Sequence, residues 1–295
     1  MSGLKTFREK VFDWINALFM LFLIFIFAYP MWETLMLSLS NQVDAGKMGF
    51  RFLPSWPLDF SAYRTVFANP IVLTAYKNSV IRTVLGTFIG VSVTFMSGYS
   101  LSKPKMPGRA LITTFLLITM FFSPGLIPSY LWVKELGLFN TFTIYLVSNV
   151  VSVGSILICR NFMLNHPQTI LEAAEIDGAG PFQTMFRVVV PMSKPIIAVN
   201  TLGFALAHWN SWYDAYLYNT DKDLMVLPLL LRRLILDTEQ TLEYFDPMLK
   251  DSAMLSTPET VKAATIMVTI GPILLVYPWL QKYFVKGVYL GAVKG

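Results

Sequence analysis

Residues 15–31 run Ile-Asn-Ala-Leu-Phe-Met-Leu-Phe-Leu-Ile-Phe-Ile-Phe-Ala-Tyr-Pro-Met without one Asp, Glu, Lys, Arg or His. With its flanks this stretch reaches the length of about 20 apolar residues that crosses a bilayer as a helix. It is too long for the apolar region of a cleavable signal, and no small-residue cleavage site follows, so it reads as a retained first span. The whole chain agrees: 55% of its 295 residues are hydrophobic and only 14% charged, against about a quarter in soluble domains. That deficit of charge makes lipid the solvent.

The same template gives six candidate spans, at residues 14–36, 75–99, 110–130, 138–160, 195–217 and 261–284. The third holds Ser123, Pro124, Gly125 and Pro128, which predicts a kink or an early end. The expected fold class is all-α, a polytopic membrane protein forming one domain over residues 1–295. Lys5, Arg8 and Lys10 precede the first span, Lys103, Lys105 and Arg109 fill the turn after the second, and Lys282, Lys286 and Lys294 accompany the last. The positive-inside rule then puts both termini and the connection at 161–194 in the cytoplasm. The connection at 218–260 lies outside and is acidic, which costs this topology nothing because long acidic loops do not dictate orientation.

Several functions are excluded or disfavoured. The net charge of +5 is spread over short span flanks, with no basic stripe for nucleic acid. Cys159 is the only cysteine, so neither an internal disulfide nor a cysteine zinc cluster can form; it reads as a small packed residue. There is no G-x-x-x-x-G-K-[ST] pattern, no metal-ligand spacing and no nucleophile–base constellation. The chain therefore reads as no enzyme, with no cofactor or metal of its own. His166, beside Pro167, reads as a solvated loop residue, and His208 as a polar group packed in the bundle. Asp214, Glu33 and Arg82 lie close enough to span ends for ordinary interfacial placement.

The cytoplasmic connection carries the sharpest local signal. Pro167 suits a helix's first turn, 168–177 holds good helix formers, and Gly178 is a natural end. A second helix starts at Gly180-Pro181, and breaks follow at Pro191 and Pro195. Ile170, Leu171, Ala174 and Ile176 offer apolar surface, while Glu172, Glu175 and Asp177 offer negative charge. Helices that rest on bilayers favour Lys and Arg on the polar face, so docking into a protein partner is the better reading.

Glu172-Ala173-Ala174, Gly178 and then Val188-Val189-Val190-Pro191 resemble the EAA signature of ATP-binding-cassette (ABC) importer permeases, with Val188 and Val190 as mild apolar departures. Ile127-Pro128-Ser129-Tyr130, residues 136–141, Trp209-Asn210-Ser211-Trp212 and the end Gly291-Ala292-Val293-Lys294-Gly295 resemble the carbohydrate branch, of MalG type. The resemblance implies the six-helix MetI-like fold in a bacterial cell membrane. It also implies a second permease subunit, two cytoplasmic ATPase subunits that bind ATP and magnesium, and an external solute-binding protein. In such permeases the first loop helix seats in the ATPase. Glu172 would then pair with a basic residue there, Ala173 and Ala174 would allow close packing, and Asp177 and Gly178 would form the turn. The tail at 285–295, with Gly291, Lys294 and Gly295, would reach between the ATPases, and the 218–260 loop would meet the binding protein. The implied cargo is an oligosaccharide, a fragment of a plant or acidic polysaccharide.

Trp209, Asn210, Trp212 and Tyr213 admit two readings. Aromatic faces beside amides can stack on sugar rings and line a substrate pathway, and the same residue types anchor spans at the membrane–water boundary. Placement near the outer end of the fifth span favours the anchor. The resemblance favours it too, because the MalG-like subunit is not the one that contacts the sugar in maltose-type systems. A secondary transporter would need broken helices in two repeats, which the sequence does not display. A membrane scaffold without transport, or an ABC permease for a solute such as a polyamine or phosphate, would share the spans.

Overall fold

A computed structural model describes residues 6–47, 49–122, 124–236 and 257–292, with side chains as far as Leu275 in the last helix. Among the described residues the secondary structure is helical throughout. The chain divides into two compact units, Met1–Pro70 with Arg233–Ile270, and Ile71–Arg232 with Gly271–Gly295.

The first unit begins with α1 (Phe7–Ser38). Its start is closed by a capping box, in which the Thr6 hydroxyl accepts from the Glu9 amide and the Glu9 carboxylate accepts from the Thr6 amide at 2.7 Å. At 1.5 Å per residue α1 is about 48 Å long, more than a bilayer core of about 30 Å requires. No residue of its most apolar window is buried within the chain. The short helix α2 (Gln42–Ala45) and α3 (Ser61–Ala68) follow. The connecting loop folds back on α1, where Trp32 Nε1 donates to the Phe52 carbonyl at 3.0 Å and the Phe50 and Phe52 rings pack on Tyr29.

The second unit is organised on α4 (Pro70–Ser102). After it come α5 (Arg109–Phe121), α6 (Leu126–Glu135), α7 (Thr143–Val147), α8 (Val153–Leu164) and α9 (Gln168–Ile176). Next are α10 (Pro181–Thr184), a π-helical turn (Met185–Val189), α11 (Val190–Met192), α12 (Lys194–Asn210) and α13 (Tyr213–Tyr218). The helices α14 (Leu227–Leu236) and α15 (Pro258–Ala292) complete the chain order.

Among the described residues α1, α4 and the first part of α15 are each long and apolar enough to cross a membrane. The pairs α5–α6 and α10/α11–α12 add two bent candidates, at 118° and 83°. The bend between α5 and α6 is the kink expected of the third span, with Gly125 at φ +79°. The fourth and fifth spans differ from expectation, since neither is one helix. Residues 148–152 separate α7 from α8, and Ser152 caps α8 by accepting from the Ser155 amide. The fifth span stops at Asn210 and restarts at Tyr213, with Ser211 extended between them. The helix α15 also runs to Ala292, past the expected boundary of a tail at 285 and through Gly291; Lys294 and Gly295, like residues 237–256 of the outer loop, lie outside the described residues.

Close packing of α4 on α12 rests on small residues. Gly86 and Gly90, four apart on α4, receive His208 and Phe204, four apart on α12. A Cβ at Gly86 would sit 2.4 Å from the His208 ring, and one at Gly90 2.6 Å from the Phe204 ring. This is the small-xxx-small notch that lets membrane helices approach. His208 is accordingly buried and packed, as expected. Gly86→Ala or Gly90→Ala is expected to cost about 1–3 kcal/mol through overpacking, read as a lower melting midpoint of the purified protein. Gly203→Ala, which would meet nothing within 4 Å, is the control and should leave the midpoint unchanged or raise it.

Candidate functional site: a projecting helix and a buried polar node

Helix α9 is held by one apolar anchor and a tight C-terminal turn. Leu171 is buried in a cluster with Phe95, Tyr99, Cys159, Met163, Met185, Val189 and Ile196. Leu171 was expected at the docking surface and instead faces inward, because it lies on the helix face shared with Gln168 and Glu175, toward the end of α4. The outward face carries Ala173 and Ile176, the latter 85% exposed. Ala174 is half-buried, and Glu172, Asp177 and Gly178 are exposed. Gly178 has φ +78°; its amide donates to the Glu175 carbonyl, and the Ala179 amide to Ala174. These two bonds form the Schellman turn expected at this glycine.

Tyr99, Lys103, Lys105, Gln168, Glu172 and Glu175 are among the residues around a groove of about 900 Å³ between α9 and the end of α4. Lys103 Nζ lies 3.9 Å from Glu175 Oε1 and 4.9 Å from the centre of the Tyr99 ring. Glu172 has no ion-pair partner among the described residues. Glu172 stands exposed in the middle of α9, open to a cation from outside.

His166 corrects the expectation of a solvated residue. It is buried, its Nε2 lies 3.1 Å from the Ser193 hydroxyl, and its ring packs edge-on to Phe162 at 5.3 Å. Ser193 marks the corner between α11 and α12, so this bond joins the start of the segment spanning α9 to α11 to its end. Burial lowers the imidazole below its ordinary value near 6.5, against a smaller opposite pull from a hydrogen bond to Phe162. The neutral ring therefore contributes stability above about pH 6.5, which is lost as pH falls from there toward the depressed folded value.

The second feature was not anticipated. Arg82 and Asp214 form a buried ion pair, although both were expected at the membrane–water boundary. Arg82 is fully buried about 18 Å from one end of α4 and about 30 Å from the other, at 1.5 Å per residue. Its Nη1 donates to the Ser211 carbonyl at 2.9 Å, its Nη2 to Asp214 Oδ2, and its guanidinium carbon lies 4.7 Å from the centre of the Tyr145 ring. Asp214 Oδ1 accepts from the Ser211 hydroxyl and the Ala215 amide, each at 2.9 Å, and Oδ2 also accepts from Ser148 at 3.2 Å. Helix α4 treats the segment after α13 similarly. Asn78 Nδ2 donates to the carbonyls of Asp223 and Met225, and the Ser79 hydroxyl accepts from the Leu227 amide.

Of the four residues considered for a substrate pathway, Trp212 and Tyr213 pack edge to face with ring centres 5.6 Å apart. Trp209 is buried edge-on to Tyr76, and Trp212 lies under the Arg232 guanidinium at 3.8 Å. Asn210 is exposed and donates to the Leu206 carbonyl, and Tyr213 is exposed.

The His166 bond yields a test. Between pH 7.5 and 5.5 the wild-type melting midpoint is expected to fall more than that of His166→Gln, which cannot titrate; equal falls would remove His166 from the account.

Comparison with known proteins places this architecture. The family described as binding-protein-dependent transport system inner membrane component matches residues 72–289. Protein LplC of Bacillus subtilis (strain 168) is 33% identical over 97% of this chain and 96% of its own length. The polygalacturonan/rhamnogalacturonan transport system permease protein YtcP of the same organism is 31% identical over 98% of this chain and 100% of its own. A chain from the crystal structure of a bacterial ABC transporter involved in the import of the acidic polysaccharide alginate superposes with a TM-score of 0.85 at 28% identity, covering 96% of this chain and 100% of that one. With the family matched over most of its length, this chain belongs to the inner membrane components of binding-protein-dependent transport systems.

Proposed function

We propose that the chain is the permease subunit forming half of the pathway of an ATP-driven importer for oligosaccharides cut from acidic polysaccharides. The observation that carries the reading is α9, an acidic helix with an apolar outward face, an unpaired Glu172 and a glycine turn, in a chain of this family. Such a helix fits a cleft in a separate ATPase, with Glu172 taking a basic partner, Ala173 and Ala174 permitting close approach, and Asp177 and Gly178 closing the turn. ATP and magnesium belong to two ATPase subunits, and a second permease completes the pathway. A solute-binding protein delivers the cargo to the acidic outer loop at 218–260. Both termini and the loop at 161–194 are cytoplasmic, and the end of the chain, with Gly291, Lys294 and Gly295, is a further ATPase contact. The acidic cargo is supported by what the YtcP relative and the alginate transporter are named for.

The test is uptake into proteoliposomes holding the chain with its co-purifying subunits. Labelled oligogalacturonate is expected to enter only with ATP on the ATPase side and binding protein on the other, while phosphate and spermidine do not. Accumulation driven by an ion gradient without ATP would overturn the reading.

A further inference from the structure

We infer that Arg82 and Asp214 are a positioning pair: together they fix the break in the fifth span, tie it to the fourth, and so hold segment 209–213 in its place beside the pathway. The inference rests on the proposed importer function for what that segment borders, and on geometry alone for the rest.

Inside a membrane an interrupted helix exposes carbonyls and amides that lipid cannot satisfy. Here one carboxylate and one guanidinium take up that task at the interruption of the fifth span, and the carboxylate reaches the fourth through a side-chain hydroxyl. The Ser211 carbonyl, freed by the end of α12, goes to Arg82 Nη1. The Ala215 amide, in the first turn of α13, goes to Asp214 Oδ1. Ser148, which follows α7, donates to the same carboxylate, so the break in the fourth span is tied to the break in the fifth. The pair thus joins three segments distant in sequence, and Nη1 of Arg82 and both carboxylate oxygens of Asp214 make directional bonds beyond neutralising the partner. A lysine at 82 would keep the charge but could not span the Ser211 carbonyl and the Asp214 carboxylate as a planar fork does.

Charge balance alone is the competing explanation, and the variants separate the two. In the full complex, Arg82→Gln and Asp214→Asn each leave an unpaired buried charge or its partner's donors unmatched, and both are expected to impair assembly. The double variant R82Q/D214N removes the charges together and is expected to assemble with a melting midpoint near wild type. Its uptake is nevertheless expected to fall by about tenfold, within the span over which coupled sites act. Arg82→Lys should behave likewise, assembled but slow. A second readout is the rate at which a membrane-impermeant maleimide labels Tyr213→Cys in a Cys159→Ala background, taken in native membranes before extraction. That rate is expected to change by about tenfold in both variants. Full uptake together with an unchanged labelling rate in R82Q/D214N or Arg82→Lys would overturn the proposal and leave the pair as charge balance only. If wild-type uptake itself proves independent of ATP, the importer reading fails, and the labelling rate still decides whether the pair positions the segment.

Discussion

Irregular backbone cannot face lipid unsatisfied, and in this protein the Arg82–Asp214 pair meets that constraint at the break after α12 and ties it to the break after α7. Its four carboxylate hydrogen bonds and the Arg82 bond to Ser211 give the interruptions after α7 and α12 partners within the protein. Removing one member of a buried pair typically costs about 3–5 kcal/mol, because the other charge is stranded. The guanidinium is further covered by the Tyr145 ring, whose hydroxyl donates to the Leu224 carbonyl. The same first half of α4 therefore also holds the segment leading into α14, through Asn78 and Ser79.

Helix α4 serves three different purposes along about 50 Å. Its first part, through Asn78, Ser79 and Arg82, is a polar template for backbone between helices. Its middle carries the Gly86 and Gly90 notches that accept His208 and Phe204. Its last third supplies Phe95 and Tyr99 to the apolar cluster that anchors Leu171 of α9. A displacement of α9 by an ATPase would thus be delivered to the same rigid helix that organises the polar node. Importers switch between inward-open and outward-open states by hinge or rocking movements of such rigid elements. Packed notches and directional hydrogen bonds favour discrete arrangements over gradual deformation, which suits an all-or-none switch.

Local chemistry made part of this legible in the sequence. The first two spans follow from apolar length, the bend in the third from Pro124 and Gly125, and the turn after α9 from Gly178, whose φ of +78° only glycine adopts at little cost. The helix start at Pro181 was equally readable, because proline's missing donor is harmless at a first helical position. What escaped depends on contacts between distant segments. Arg82 and Asp214 are 132 residues apart, so each alone looked like an interfacial charge. His166 and Ser193 are 27 apart, and a histidine before proline gives no sign of the hydroxyl it will meet. The break after α7 was hidden because residues 148–152, Ser-Asn-Val-Val-Ser, carry no charge, proline or glycine and sit inside a long apolar run. Leu171 was misplaced for a different reason: apolar residues on a short helix identify two possible faces, and only packing decides which is covered.

The central claim, that the segment around α9 transmits work between a separate ATPase and the pathway, is tested most directly at Gly178. The glycine is exposed and would meet nothing within 4 Å, so a side chain there acts through backbone strain and through whatever docks outside. Binding-protein-stimulated ATP hydrolysis should be measured for the reconstituted wild-type complex and for Gly178→Asp, with co-purification of the ATPase scored in parallel. The account predicts that stimulation collapses in the variant, whether or not the ATPase stays bound. Unchanged assembly together with unchanged stimulation would contradict it.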